Sequence, residues 1–118
     1  MTKPTPTHAV LYHNPKCGTS RAVLAILLDS GHELKIIEYL KTPLTPKELA
    51  DLAEKLGGAS VLVRAKEPLA AELGLQIADN EKIFSAIAAH PILLNRPIVV
   101  TTKGAKLCRP AELVHSLL

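Results

Sequence analysis

The chain has 118 residues, enough for one domain, and with 47% hydrophobic and 21% charged residues it has the composition of a folded globular protein, not a disordered one. Only 3% of its residues are aromatic, which disfavours a single-stranded nucleic-acid binder that stacks bases on aromatic rings. Fourteen Lys and Arg residues against eleven Asp and Glu give a net charge of +3, too small for a strong DNA-binding protein but suited to a small anion.

Hydrophobic periodicity and capping residues predict alternating strands and helices after a flexible tail over residues 1–8. The best-marked helix start is Thr45-Pro46-Lys47-Glu48, where Thr45 is the N-cap and Glu48 completes a capping box. Pro110 opens the last helix, with Leu113, Val114 and Leu117 expected to face inward. In chain order we predict a strand over 9–12, a helix over 17–30, a strand over 34–39, helices over 45–56, 70–73 and 79–89, strands over 97–101 and 105–108, and a helix from 110.

This order is β-α-β, a helical insertion, and then β-β-α. A βαβ unit implies a parallel pair joined by a right-handed crossover, and the later hairpin adds antiparallel strands. The prediction is therefore a single α/β domain over residues 9–118 with a thioredoxin-like mixed sheet. Such folds place a cis-proline at the start of the third strand, where Pro97 stands, so we predict a cis Arg96–Pro97 bond.

The chemical centre predicted from the sequence is Cys17, at the start of the first helix. Free backbone N–H groups and the positive end of the helix dipole lower a thiol pKa and can also bind an oxyanion. Gly18 allows close approach to the backbone, Thr19 and Ser20 are expected to add hydroxyl donors, and Arg21 adds positive charge one turn on. A lone cysteine can also be a small buried residue, but this position favours a nucleophile beside an anion site.

The cysteine count narrows the chemistry, because the chain has only Cys17 and Cys108. Two cysteines disfavour a disulfide-stapled miniprotein and a four-cysteine zinc site, and we predict no metal site. No second cysteine follows Cys17 in a CxxC arrangement, so Cys17 needs an external thiol or Cys108 to restore it. Cys108 is predicted to be a core residue at a strand end.

No apolar run is long enough to span a membrane, and we expect a cytoplasmic protein with reduced thiols.

Arginine is scarce in this chain, with four residues against ten lysines. Guanidinium groups bind oxyanions with two parallel hydrogen bonds, which lysine cannot do. Arg64 and Arg96 lie in loop-like segments, and Arg109 lies at a strand-to-helix junction. Such segments surround one end of an open α/β sheet, where ligands usually bind. Each alone is more often a surface charge, so their convergence is left to the structure.

Three separate segments stand out as a set: YHNPKCGTSR at 12–21, HPILLNRPIVV at 90–100 and LCRP at 107–110. Together they resemble the signature segments of the glutaredoxin-dependent arsenate reductases. The region from Arg64 to residue 75 is similar to the middle of that family, although an asparagine expected shortly after the arginine is absent. The resemblance covers residues 9–118, and the LCRP match favours the reductase branch.

The resemblance implies a mechanism in which the Cys17 thiolate attacks arsenate and glutathione then reduces the adduct. Glutaredoxin would resolve the resulting mixed disulfide, with no bound cofactor and with glutathione as co-substrate. By the same resemblance, Arg64, Arg96 and Arg109 hold the oxyanion. His13 matches a residue that the family places near the cysteine, where it would favour the thiolate; the other interpretation is an exposed loop histidine. We expect a monomer.

Two alternatives stay open from the sequence. One is a redox-sensing regulator that binds RNA polymerase, but such relatives carry CxxC, and here Ser20 stands at the second cysteine position. The other is a glutathione-dependent reductase of another substrate, which the segment at 107–110 disfavours.

Overall fold

A computed structural model describes residues 8–118, which form a four-stranded sheet with helices on both faces. The strands are β1 (His8–His13), β2 (Glu33–Glu38), β3 (Ile98–Thr101) and β4 (Gly104–Leu107). The helices are α1 (Gly18–Asp29), α2 (Pro46–Leu56), α3 (Pro68–Glu72) and α4 (Asn80–Ala89). Short 3-10 helices cover Ala59–Leu62, Pro91–Leu93 and Ala111–Leu117.

The strand order in the sheet is β2-β1-β3-β4. Leu11 of β1 pairs in parallel with Ile36 of β2 and antiparallel with Val99 of β3, while Ile98 pairs antiparallel with Leu107 of β4. This is the mixed thioredoxin-like sheet that the sequence predicts. Within the described part of the chain, no helix is long and apolar enough to cross a membrane.

The sheet separates two apolar cores, because alternate side chains of a strand point to opposite faces. Ile98 joins the core formed with α2 and α4, whereas its neighbour Val99 joins the core beneath α1. Cys108 belongs to the second core and is fully buried. The β3 strand is therefore buried on both faces, and the segment with Arg96 and Pro97 leads directly into it.

The predicted start of α2 is confirmed in detail. The Thr45 hydroxyl accepts the N–H of Glu48 at 3.2 Å, and the Glu48 carboxylate accepts the N–H of Thr45 at 3.1 Å. Gly57 ends the helix at φ 89°, a left-handed conformation that favours glycine.

Two predictions at the chain ends need correction. Residues 1–7 of the predicted tail lie outside the described residues, but residue 8 begins β1, where it pairs with Glu33. The last element is a 3-10 helix rather than an α-helix, and Leu113 is 40% exposed. With three residues per turn, Val114 and Leu117 share one buried face and Leu113 falls outside it.

Candidate active site

Cys17 is the N-cap residue of α1, in the extended conformation (φ −92°, ψ 120°) that precedes a helix. The loop from β1 to α1 is shaped by Asn14, whose backbone oxygen accepts the Cys17 N–H at 3.0 Å. The Asn14 side-chain oxygen accepts the N–H of Lys16, also at 3.0 Å. No side chain caps the first turn of α1, so its free N–H groups lie open beside the Cys17 sulfur.

The surroundings of Cys17 favour the thiolate. Burial is the largest single effect and raises the thiol pKa, but it is outweighed. The N–H of Ser20, the guanidinium of Arg96 and the N–H of Thr19 all favour the charged form, so the pKa of Cys17 is lowered overall. Cys17 is also partly exposed, so a substrate can reach its sulfur.

Arg109 lies directly at the sulfur. Its Nη1 is 3.8 Å from Sγ of Cys17 and 3.4 Å from the carbonyl oxygen of Arg96, to which it donates. The N–H of Cys108 donates to the oxygen of Pro97 at 2.9 Å, which fixes the end of β4 beside the start of β3. The Arg96–Pro97 bond is cis, as predicted, and Pro97 is fully buried. The bond that follows Arg109 is also cis, which the sequence analysis did not predict.

Backbone pairing between two distant segments places Arg64 in the same cleft as Arg109. The N–H of Arg64 donates to the oxygen of Leu93 at 2.8 Å, and the N–H of Asn95 donates to the oxygen of Leu62 at 2.7 Å. A cleft of about 320 Å³ results, and both Arg64 and Arg109 line it. Arg96 carries a buried Nε with no hydrogen-bond partner within residues 8–118. Arg64 and Arg109 therefore line one cleft, and Arg96 acts on the Cys17 sulfur beside it. That the three arginines together hold an oxyanion stays a prediction.

Arg21 supports the loop instead of facing the cleft. Its Nη1 donates to the oxygen of Pro15 at 2.9 Å, and Nη2 lies 3.7 Å from the position that a Cβ on Gly18 would occupy. The guanidinium thus folds back over the first turn of α1 and adds positive charge there.

Ser20 is placed differently from its prediction as a hydroxyl donor to the anion. Its side chain is fully buried, accepts the N–H of Asn14 at 3.1 Å, and lies 2.6 Å from Nδ1 of His13. The hydroxyl faces the interior because residue 20 lies on the inner side of α1, so that part of the prediction is wrong. Its backbone N–H nevertheless acts on Cys17. An anion-binding role for Gly18 and Thr19 stays a prediction.

His13 is buried at the end of β1, so the exposed-loop interpretation is wrong. Burial is the main reason that its pKa is lowered; Glu38 opposes this and Arg21 adds to it. The imidazole is therefore neutral near pH 7 and brings no positive charge to the thiolate. Its contact is with the Ser20 hydroxyl, through which it fixes the first turn of α1.

Two residues beside the site were missed from the sequence. Asn14 makes the hydrogen bonds that shape the loop, and its place before a proline is the signal that could have identified it. Tyr39 follows β2 and is fully buried, and this burial is the main reason that its pKa is raised. Arg96 and the Asn14 side chain oppose the rise, and Cys17 adds to it. Tyr39 therefore lies beneath the site, and nothing local in the sequence indicates this.

Cys108 is the core residue that the sequence predicts. It is fully buried, its Sγ lies 3.6 Å from the Lys106 oxygen, and burial raises its pKa to about 11 against a smaller opposing effect of Lys106. Both cysteines are free thiols. Cys108 is therefore a protonated and shielded thiol, unlike Cys17.

Known proteins share both this sequence and this fold. The chain is 43% identical over 115 residues to the arsenate reductase of Yersinia enterocolitica, covering 95% of this chain and 82% of that protein. It is 46% identical over 113 residues to the arsenate reductase ArsI2 of Synechocystis sp., covering 92% and 80%. The solved structure of an arsenate reductase from Vibrio cholerae aligns with a TM-score of 0.90 at 39% identity, covering 97% of this chain and all of that one (100%). Since residues 12–117 also match the sequence model of the ArsC family, the chain belongs to that family.

Proposed function

We propose that this protein reduces arsenate to arsenite through Cys17, with glutathione as the thiol co-substrate and glutaredoxin as the protein that resolves the mixed disulfide. The observation that carries the proposal is the 3.8 Å contact between Nη1 of Arg109 and the Cys17 sulfur at the uncapped start of α1. This contact places a nucleophilic sulfur next to a guanidinium that can donate hydrogen bonds to an oxyanion. The family relatives named above as arsenate reductases support arsenate as that oxyanion.

In the first step the Cys17 thiolate attacks arsenic, a sulfur–arsenic bond forms, and an arsenate oxygen leaves as water after protonation. Negative charge on the remaining oxygens is met by Arg64, Arg96 and Arg109 and by the free N–H groups of α1. The lowered pKa of Cys17 keeps the attacking group ionised near neutral pH.

In the second step the thiolate of glutathione attacks the Cys17 sulfur. A sulfur–sulfur bond forms, the electron pair of the sulfur–arsenic bond passes to arsenic, and As(V) becomes As(III). A glutaredoxin thiolate then attacks the glutathione sulfur and releases Cys17.

The placement of the other thiol supports an external reductant. Cys108 is fully buried and its raised pKa keeps it protonated, so it is a poor resolving thiol. Residue 20, where a CxxC pair would have its second cysteine, is a serine whose hydroxyl is bound to His13. The same facts count against a dithiol switch that regulates RNA polymerase.

The test is a coupled assay with arsenate, glutathione, glutaredoxin, glutathione reductase and NADPH, in which arsenite is also measured directly. We expect NADPH oxidation that depends on arsenate, background rates for Cys17→Ser, and retained turnover for Cys108→Ala. Absence of arsenate-dependent turnover by folded protein would overturn arsenate as the substrate. Equal turnover with thioredoxin and thioredoxin reductase in place of the glutathione components would overturn the glutaredoxin route.

A further inference from the structure

We propose that Lys66 recognises a carboxylate of the thiol substrate, so that the cleft beside Cys17 binds glutathione next to the oxyanion. This inference rests on the proposed function, since it takes glutathione as the reductant. It assigns to one side chain of this chain a part in selecting that reductant.

The first argument is space. The cleft lined by Arg64, Lys66 and Arg109 has a volume of about 320 Å³. A tetrahedral oxyanion of five heavy atoms takes at most about 150 Å³, if each atom is given the full share of a liquid water molecule. More than half of the cleft is therefore left for a second ligand, and its total volume lies in the range of sites for small organic molecules.

The second argument is charge. Three cationic side chains line the cleft, Arg64, Lys66 and Arg109, and within residues 8–118 none of them forms a salt bridge and no acidic side chain lines the cleft with them. Two guanidinium groups, with Arg96 beside them, suffice for one doubly charged oxyanion. The charge of Lys66 is left over, and a second anionic group satisfies it.

The third argument is the chemistry of the lining. Lys66 is exposed at the rim, and its flexible stem suits a mobile carboxylate better than the fixed fork of an arginine. Asn95 also lines the cleft, but its side chain donates to the Val61 oxygen and accepts the N–H of Arg96, so it is already engaged. Among the polar lining residues, Lys66 is thus the one free to bind a carboxylate remote from the reacting sulfur.

The inference can be tested without arsenate. Cys17 attacks glutathione disulfide, forming the Cys17–glutathione disulfide and releasing one glutathione thiolate, and mass spectrometry follows the rate. The matched reagent is bis(2-hydroxyethyl) disulfide, which has no carboxylates. The variants are Lys66→Gln, Lys66→Arg and a control, Lys55→Gln, on the surface of α2 beside Asp51 and Glu54.

We expect Lys66→Gln to react with glutathione disulfide about two- to fivefold more slowly, the effect of one exposed ion pair, and with the neutral disulfide at the wild-type rate. Lys66→Arg restores the rate, Lys55→Gln leaves both rates unchanged, and 0.5 M salt removes the difference. Equal slowing with both disulfides, or no slowing with either, would overturn the inference.

In the coupled assay, Lys66→Gln raises the KM for glutathione by a similar factor and leaves the KM for arsenate unchanged. A raised KM for arsenate instead would show that Lys66 binds the oxyanion and would overturn the inference. If the wild-type protein fails to reduce arsenate, the proposed function fails by itself, while the disulfide rates still decide the role of Lys66.

Discussion

The hydroxyl of Ser20 lies 2.6 Å from Nδ1 of His13, and this hydrogen bond is buried. His13 ends β1 and Ser20 lies in the first turn of α1, so the bond connects the strand directly to the helix that carries Cys17. The same hydroxyl accepts the N–H of Asn14 at 3.1 Å. One buried oxygen thus fixes the strand, the loop and the helix start relative to one another.

Ser20→Ala is therefore expected to lower the free energy of unfolding by about 1–3 kcal/mol, because it leaves a buried imidazole nitrogen and a backbone N–H without their partner. Urea denaturation at pH 7 measures the loss. Thr19→Ala, a neighbouring change at a partly exposed position, is the control and has a smaller effect. A Ser20→Ala protein as stable as wild type would show that the buried bond is unimportant to the fold.

Alkylation of Cys17 by iodoacetamide is expected to show a pH midpoint below that of an ordinary cysteine, since the thiol pKa is lowered. Arg96→Ala raises the midpoint, because Arg96 is among the groups that favour the thiolate. Lys55→Gln, on the surface of α2 beside Asp51 and Glu54, is the control, and its midpoint stays at the wild-type value. Identical midpoints for wild type and Arg96→Ala would contradict this account.

Alkaline pH is expected to destabilise the protein through Cys108. Its thiol has a pKa raised to about 11, mainly by burial, from a value of 9.0, so the unfolded chain loses this proton before the folded one does. Stability therefore falls as pH rises from 9 towards 11, by about 2 kcal/mol from this group. Cys108→Ala lacks this contribution. The free energy of unfolding of wild type, measured in urea, should therefore fall relative to that of Cys108→Ala between pH 9 and pH 11. A difference independent of pH would sink the prediction.

Phosphate and sulfate are expected to slow the alkylation of Cys17 in a saturable way, because they are tetrahedral oxyanions like arsenate. Arg64→Ala should weaken this protection about tenfold, the effect of one charge-assisted hydrogen bond. Lys55→Gln, away from the cleft, should retain full protection. Wild-type protein left unprotected by either anion would argue against an oxyanion site beside the thiol.

Local patterns predicted most of the fold and the centre of the site. The capping box at Thr45 and Glu48 and the helix start at Cys17 depend on neighbouring residues only, and the structure has both. The direction of the Ser20 hydroxyl depends on how α1 packs on the sheet, which no local pattern contains. The place of Arg64 depends on contacts across the chain, such as the bond from Asn95 to Val61, 34 residues away.

The way in which Arg64 is held has a consequence for how the chain can vary. Its N–H donates to the oxygen of Leu93 at 2.8 Å, and its own oxygen accepts the N–H of Glu67 at 3.0 Å, in the segment that follows. Insertions and deletions after Arg64 can therefore change the rim of the cleft and the bond from Glu67 while the backbone bond from Arg64 to Leu93 remains. The absence of the expected asparagine in that segment therefore changes the side chains at the rim of the cleft and leaves the backbone of Arg64 bound to Leu93.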